Sequence, residues 1–413
     1  MAVEASNNFK KFQSYAFAAV DEARDAANSK GLEIIDFGVG DPTDPLYRGS
    51  IEAMQEGAEK HKSSGYPSYI GMKDFREAAA NWMEKRFGVS VDPDTQVTST
   101  LGSKEAVWHL PFVYINPGEG EKVLMPSIGY PPYKSGTVFA GGEPIYYDLR
   151  KENGFLPDLN EIEDKLRGDE RVKMMWINYP HNPTTVKAPK SHLIDMVDLA
   201  YAYGVVLASD EAYSEMYPTG SAKPLSVLQV TDDWRDIIVL QSLSKRSNAT
   251  GIRVGFAVGD EEVISKYKKL RTQKDSGTAN AIQEAAIAGW KDEIHVKRMR
   301  SSYDRKRDLM TDALTYSGLK EPFAEATFYM WQPLPEGISS ADFSAMMLQL
   351  SEDDKLGINT TPGSSLALSD EIEGRIPGSG YVRFALVPSE EDTEKAAEAI
   401  KKHLPKRLKD LSD

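Results

Sequence analysis

Lys245 and Arg253 stand eight residues apart in "QSLSKRSNATGIRVGFAVGD", Gln241 to Asp260, between two apolar runs. An amine held where a strand ends attacks a carbonyl once it has lost its proton, and a guanidinium beside it is a two-pronged ligand for phosphate or carboxylate. A solvated turn is the other reading of the same residues. Three further strand-like runs end on groups of different chemistry: "LGSKEA" with Gly102, Ser103 and Lys104, "NYPHNPTT" with Asn182, and "SDEAY" with Asp210 and Tyr213. Gly102, Ser103 and Lys104 fall just before a helical pattern, where free N–H groups and the positive helix end suit a phosphate, although Gly-Ser is also an ordinary cap. Asn182 sits between Pro180 and Pro183, in a turn that presents a side-chain amide rigidly or is simply a turn. Asp210 closes the run "VVLAS". A carboxylate at the inner end of a hydrophobic strand is costly unless it meets a cation or a donor, with helix capping as the alternative. Tyr213, three residues on, is within reach of the same place.

These groups act together only if the elements carry them there. Seven apolar runs bounded by turn residues read as strands: 97–101, 122–125, 144–149, 172–178, 205–210, 237–242 and 253–258. Helical patterns such as 103–114 and 191–203, the latter ended by Gly204, separate several of them, and that alternation predicts an α/β sheet of mostly parallel strands. The last two runs are joined by about ten residues containing Gly251, too short for a crossover helix, so one strand is predicted antiparallel. Helices are predicted over "EEVISKYKKLRTQK", within 279–316, and from Ser389 to about Leu404, where Pro405 is expected to interrupt the helix. The expected architecture is a large domain over 55–295, with a seven-stranded, mostly parallel sheet between helices, and a smaller α+β domain built from both termini, 1–54 and 296–413. A ligand then belongs in the cleft outside the carboxyl ends of the strands.

Composition limits the partners. A chain of 413 residues with 40% hydrophobic content has the makings of two closely packed domains. A formal charge of -14 repels a phosphate backbone and an anionic membrane surface, so neither nucleic acid nor membrane is expected as a partner. No apolar run is long enough for a signal peptide or a membrane span. With no cysteine there is no disulfide framework and no thiolate metal site, which fits a reducing, cytoplasmic location. The six histidines show no metal-ligand spacing, no metal site is expected, and His109 reads as a packed helix residue.

Taken in order, Gly102-Ser103-Lys104, Asn182-Pro183-Thr184, Ser209-Asp210-Glu211-x-Tyr213 and Ser242-x-Ser244-Lys245 followed by Gly251-x-Arg253-x-Gly255 resemble the class I/II, fold-type I pyridoxal phosphate aminotransferases. The resemblance runs from "DFGVGDPTDP" through "GYPSYIGMKDFREAAA" to "YVRFALV". It implies that Lys245 binds the aldehyde of pyridoxal 5′-phosphate and later moves a proton, that Asp210 pairs with the pyridine nitrogen, and that Asn182 and Tyr213 bond the phenolic oxygen. It implies a phosphate cup of Gly102, Ser103, Lys104, Ser242, Ser244 and Arg253, with Tyr130 stacked on the ring and Tyr133 nearby. Arg383 in "GYVRFAL" matches the arginine that reads the substrate α-carboxylate, helped by Asn182 and the backbone of Gly40. Tyr66 matches a tyrosine that reaches the phosphate of the neighbouring subunit, which implies a homodimer with shared active sites. The implied reaction moves an amino group from an amino acid to a keto acid, 2-oxoglutarate giving glutamate. "SLSKRSN" is most similar to the succinyl-diaminopimelate branch and other parts to LL-diaminopimelate, aspartate or alanine aminotransferases, so a diaminopimelate-type substrate of lysine biosynthesis ranks first. Carbon–sulfur β-lyases, which share the cofactor residues, are the alternative. One departure stands out: the family's Asn-Pro-Thr-Gly ends here in Thr185, and losing glycine's access to positive φ predicts a differently shaped turn after Asn182.

Overall fold

Short apolar runs between turn residues become strands in a computed structural model, which describes residues 3–10, 29, 31–351 and 353–412. Of the spans expected for the smaller domain, residues 1, 2, 11–28, 30, 352 and 413 lie outside the described residues. The chain forms β1 (Glu33–Asp36), then β2 (Val97–Thr100), β3 (Lys122–Pro126), β4 (Glu143–Tyr147), β5 (Val172–Asn178), β6 (Val206–Asp210), β7 (Ile237–Ser242) and β8 (Gly255–Gly259). Strands β2 to β8 make one seven-stranded sheet in the order β2-β8-β7-β6-β5-β3-β4. Neighbours from β4 to β7 run parallel, whereas β8 is antiparallel to both β2 and β7. The short link before β8 therefore has the effect expected of it.

Burial explains why the central strands read as continuous hydrophobic runs. Every residue of β6 and β7 is buried, because helices cover both faces. One face carries a layer that includes Trp82, Phe256 and Trp290, and the other a layer with Tyr133, Trp176 and Tyr267. Strand β8 starts at Gly255, two residues later than the sequence pattern predicts. A Cβ at Gly255 would lie 2.4 Å from the carbonyl oxygen of Gln241, so the strand approaches β7 too closely for a side chain there. Arg253 is left in the preceding turn, with φ 53°.

The smaller domain joins the two ends of the chain. Strand β9 (Tyr329–Pro333), β10 (Leu356–Asn359), β11 (Thr361–Pro362) and β12 (Tyr381–Ala385) come from the C-terminal part. Strand β1 pairs in parallel with β10, and β11-β12-β9 form an antiparallel sheet. Ile35 and Phe37 share a core with Val296, Phe384 and Ile400. The final helix, Glu390–Ser412, runs straight through Pro405, where an interruption was expected. Proline removes one intrahelical bond, but Leu404 and Leu408, one turn apart, both pack on this core, and Arg407 donates to the Gln349 carbonyl at 3.0 Å. Tertiary packing outweighs the local penalty. No described helix is long and apolar enough to cross a membrane.

Candidate active site

Strands β5, β6 and β7 end side by side, with Asn178 opposite Asp210 and Asp210 opposite Leu240, and their carboxyl ends open on a cavity of about 500 Å³. Asn178 ties two of those ends together. Its amide donates to the Asp210 carbonyl at 2.7 Å, and its carbonyl oxygen accepts from the Asn182 backbone N–H at 3.0 Å, so the Asn182 turn is fastened to the sheet.

Asp210 presents a buried carboxylate. Burial raises its pKa to about 6, against the opposing pull of a 2.9 Å bond from the Tyr133 hydroxyl, a 3.3 Å bond from the Ala212 N–H, and nearby Lys245. Tyr133 itself is fully buried and stacked on Trp176 at 5.0 Å, so its hydroxyl is held in place. Lys245 rises from the one-turn helix Leu243–Arg246, and its Nζ donates to the Gly40 carbonyl at 2.5 Å. Burial lowers its pKa to about 8, with Arg383 and Arg253 adding to the effect and Asp41 and Asp210 opposing it.

Arg383, on β12, closes the opposite wall. It is 1% exposed, with Nη1 donating to the Asn182 side-chain oxygen at 2.9 Å and Nη2 to the Gly38 carbonyl at 2.9 Å and the Thr361 hydroxyl at 3.2 Å. Its guanidinium lies 4.3 Å over the Tyr329 ring, and the Tyr329 and Tyr213 hydroxyls are 3.0 Å apart. A Cβ at Gly40 would fall 2.0 Å from the Tyr329 hydroxyl, so only glycine lets this segment pass.

A third group of donors lies at the start of the helix Ser103–His109. Gly102 precedes it with φ 75°, and a Cβ there would meet Arg253 Nη2 at 2.7 Å. The guanidinium is fixed by bonds to the carbonyls of Thr250 at 2.7 Å and Leu101 at 3.3 Å. Ser103, Lys104, Ser244 and Arg253 all line the cavity. So do Gly40, Tyr130, Asn182, Asp210, Tyr213, Lys245 and Arg383. Gly102 and Ser242 stand one layer behind: Gly102 makes room for Arg253, and the Ser242 hydroxyl caps the Ser244 N–H at 3.1 Å. Tyr66 is 91% exposed and outside the cavity of its own chain.

Residues 33–400 match the family model Aminotransferase class I and II. The chain belongs to this family. The aminotransferase is 39% identical over 399 residues to LL-diaminopimelate aminotransferase of Aquifex aeolicus, covering 96% of this chain and 98% of that one. Its fold is similar to that of apo-BacF from Bacillus subtilis, with a TM-score of 0.87 and 28% identity over 97% of this chain and 98% of the other. A probable N-succinyldiaminopimelate aminotransferase from Thermus thermophilus gives a TM-score of 0.83 and 27% identity over 94% and 99%.

Pyridoxal phosphate is the cofactor of the aminotransferase, and the donor set fits it. Hydroxyls and cations for a phosphate cluster at Ser103, Lys104, Ser244 and Arg253, a buried carboxylate suited to a ring cation sits at Asp210, and an amine for an aldehyde stands at Lys245.

The turn after Asn182 does not change shape as the loss of glycine predicts. Thr185 adopts φ 70° itself. Its N–H donates to the His181 carbonyl at 2.8 Å, and its hydroxyl accepts from the Glu325 N–H at 3.2 Å. These bonds offset a cost of roughly 1–2 kcal/mol for a left-handed β-branched residue. Sequence reasoning passed over Asn178, Tyr329 and Asp41, all of which line the cavity. Asn178 had a usable signal, as the polar residue that closes the apolar run 172–178. Tyr329 had none, because its place over Arg383 depends on the pairing of β9 with β12.

Proposed function

We propose that the aminotransferase transfers the amino group of a diaminopimelate-type amino acid to 2-oxoglutarate, working in the cytoplasm as a homodimer. The observation that carries the reading is the meeting of Lys245, Asp210 and Arg383 in one cavity, an amine, a carboxylate and a carboxylate-reading guanidinium drawn from three separate parts of the chain. The name of the Aquifex aeolicus relative supports the substrate. So does the lining: Asp41 adds a carboxylate beyond those given a task in the reaction, which suits a donor that carries a second ammonium group. Tyr66, exposed and close in sequence to the 41% exposed Tyr69, supports a subunit contact. A chain without cysteine fits a reducing compartment.

In this reading the tasks divide among the residues of the cavity. When bound, pyridoxal phosphate supplies a ring that takes up the electron pair left when the substrate Cα loses its proton. Ser103, Lys104, Ser244 and Arg253 hold the phosphate, with Gly102 and Ser242 shaping that cup. Asp210 holds negative charge at the ring nitrogen, and Tyr133 fixes the orientation of the carboxylate. Asn182 and Tyr213 donate to the phenolic oxygen, and Tyr130 covers a ring face. Arg383 binds the substrate α-carboxylate and is itself aimed by Asn182 and Thr361. Lys245, with its pKa lowered to about 8, has an appreciable neutral fraction near pH 7 and so serves both as nucleophile and as the base that moves the Cα proton.

Glutamate formation from 2-oxoglutarate tests the proposal, with LL-diaminopimelate, its N-succinyl derivative, aspartate and alanine as donors. A diaminopimelate-type donor is expected to give the highest kcat/KM. Preference for aspartate or alanine would replace the substrate while leaving the roles of the residues intact.

A further inference from the structure

A second cavity, of about 310 Å³, lies beside the active site and takes four of its lining residues from segments that also line that site. Tyr130, Asn182, Tyr329 and Arg383 line the active-site cavity. The residues two positions away, Ile128, Thr184, Trp331 and Tyr381, line the second. On β9 and β12 this follows from the pleat: Trp331 stands opposite Arg383 in register, and residues two apart share a face. The two cavities are therefore neighbours along one sheet face.

The floor of the second cavity is apolar. Trp331 is 1% exposed and stacks on Tyr381 with ring centroids 5.1 Å apart and planes 5° from parallel. Phe155 meets Tyr381 edge-on at 5.6 Å, and Ile128 and Leu149 complete the wall. The Trp331 indole N–H has no acceptor among the described residues.

Its rim carries charges of both signs. Arg150 is committed to Asp148 and Glu373. Arg375 uses one nitrogen on Asp148, which leaves further donors of its five on the guanidinium. Lys151 and Glu152 lie on the outward turn Lys151–Asn153, and neither makes an ion pair among the described residues. Glu152 and Arg375 line the cavity together with Tyr381, so a negative and a positive group share it with the aromatic floor.

We propose that this second cavity binds an α-amino acid with an apolar side chain. Arg375 and Lys151 take its carboxylate, Glu152 takes its ammonium, and the side chain lies along the half-buried Tyr381 ring, which Trp331 and Phe155 back from within. A purely anionic ligand would leave Glu152 opposed, and a hydrocarbon would leave three charged groups unused. The volume lies at the low end of small-molecule sites, roughly 300–1,000 Å³, which fits a single amino acid and not a nucleotide. No group of this site belongs to the reaction centre, so the proposal stands apart from the substrate assignment.

Calorimetric titration of the holoenzyme with α-methyl-L-phenylalanine tests it, because this amino acid has no Cα proton to lose. The titration is run without and with saturating succinate, a dicarboxylate that competes for Arg383. Binding of one ligand per chain is expected, with Kd raised at least about tenfold in both Arg375→Ala and Glu152→Gln, the effect of losing one charged contact of about 1.4 kcal/mol or more. Turnover of both variants without the ligand is expected to match the wild type, which shows that they fold. 3-Phenylpropanoate, which lacks the ammonium, is expected to bind the wild type at least about tenfold more weakly than the amino acid, by the same conversion. Heat that succinate abolishes, a Kd unchanged in either variant, or no binding up to about 10 mM, weaker than about 3 kcal/mol, overturns the proposal.

Discussion

Replacing Asp210 with asparagine is expected to stabilise the cofactor-free protein at alkaline pH, although Asp210 is the group proposed to face the cofactor's ring nitrogen. The folded-state pKa of Asp210 is raised from 3.8 to about 6 by burial. The stability this group lends is therefore complete below pH 3.8 and is lost as pH rises through about 6. At 1.36 kcal/mol per pH unit, the full loss by pH 8 is about 3 kcal/mol, of which about 1 kcal/mol is already gone at pH 4.5. Asparagine does not ionise and so escapes this loss. It retains one acceptor where Asp210 has bonds from both Tyr133 and the Ala212 N–H, a deficit of about 1 kcal/mol that is the same at every pH. Urea unfolding of apo wild type and apo Asp210→Asn at pH 4.5 and pH 8 separates the two effects. The variant is expected to gain about 2 kcal/mol on the wild type between these pH values. A difference that stays constant with pH would refute the claim that, in the apoprotein, burial of the Asp210 carboxylate outweighs its hydrogen bonds and the nearby Lys245.

Uptake of pyridoxal phosphate by the apoprotein, followed by its visible absorbance, should accelerate about tenfold per pH unit below pH 8 and then level off, because Lys245 reacts as the neutral amine and its pKa is lowered to about 8. A rate still climbing at pH 10 would mean that burial leaves the lysine unchanged. Tyr133→Phe removes one hydrogen bond to a carboxylate, about 1.5–3 kcal/mol, so cofactor affinity should fall roughly 10- to 100-fold; affinity within twofold of wild type would show that the 2.9 Å contact with Asp210 is idle. Arg383→Lys keeps the charge but loses the forked geometry, and its kcat/KM for amino acids should drop roughly 10- to 1000-fold while simple amines are spared. An equal loss for both substrate types would make Arg383 a general support of the cavity.

The parts of the site that ride on β5, β6 and β7 were legible because buried parallel strands read as apolar runs, and a polar residue ending such a run must face the cleft. Asp210 and the Ser244-Lys245 pair are of this kind, and the short link before β8 revealed its reversed direction. Asn182 was marked by the prolines around it. Features set by contacts distant in sequence were not legible. The Tyr329–Arg383 stack depends on the register of β9 against β12, and the second cavity follows from the same register. Ser242 and Ser244 are chemically alike in sequence, and only the start of a one-turn helix decides that one caps the backbone while the other lines the cavity. Pro405 and Thr185 oppose their local preferences because packing and hydrogen bonds outweigh them.

Two lysines line the active-site cavity, Lys245 and Lys104, and burial lowers the pKa of both. Only Lys245 stands among Gly40, Asp210 and Arg383, so the cofactor aldehyde is expected to be joined to it. Reduction of the holoenzyme with borohydride, digestion and mass spectrometry locate that link directly. A pyridoxyl phosphate adduct is expected on Lys245 and none on Lys104; an adduct on Lys104 or an unmodified Lys245 would contradict the role proposed for Lys245.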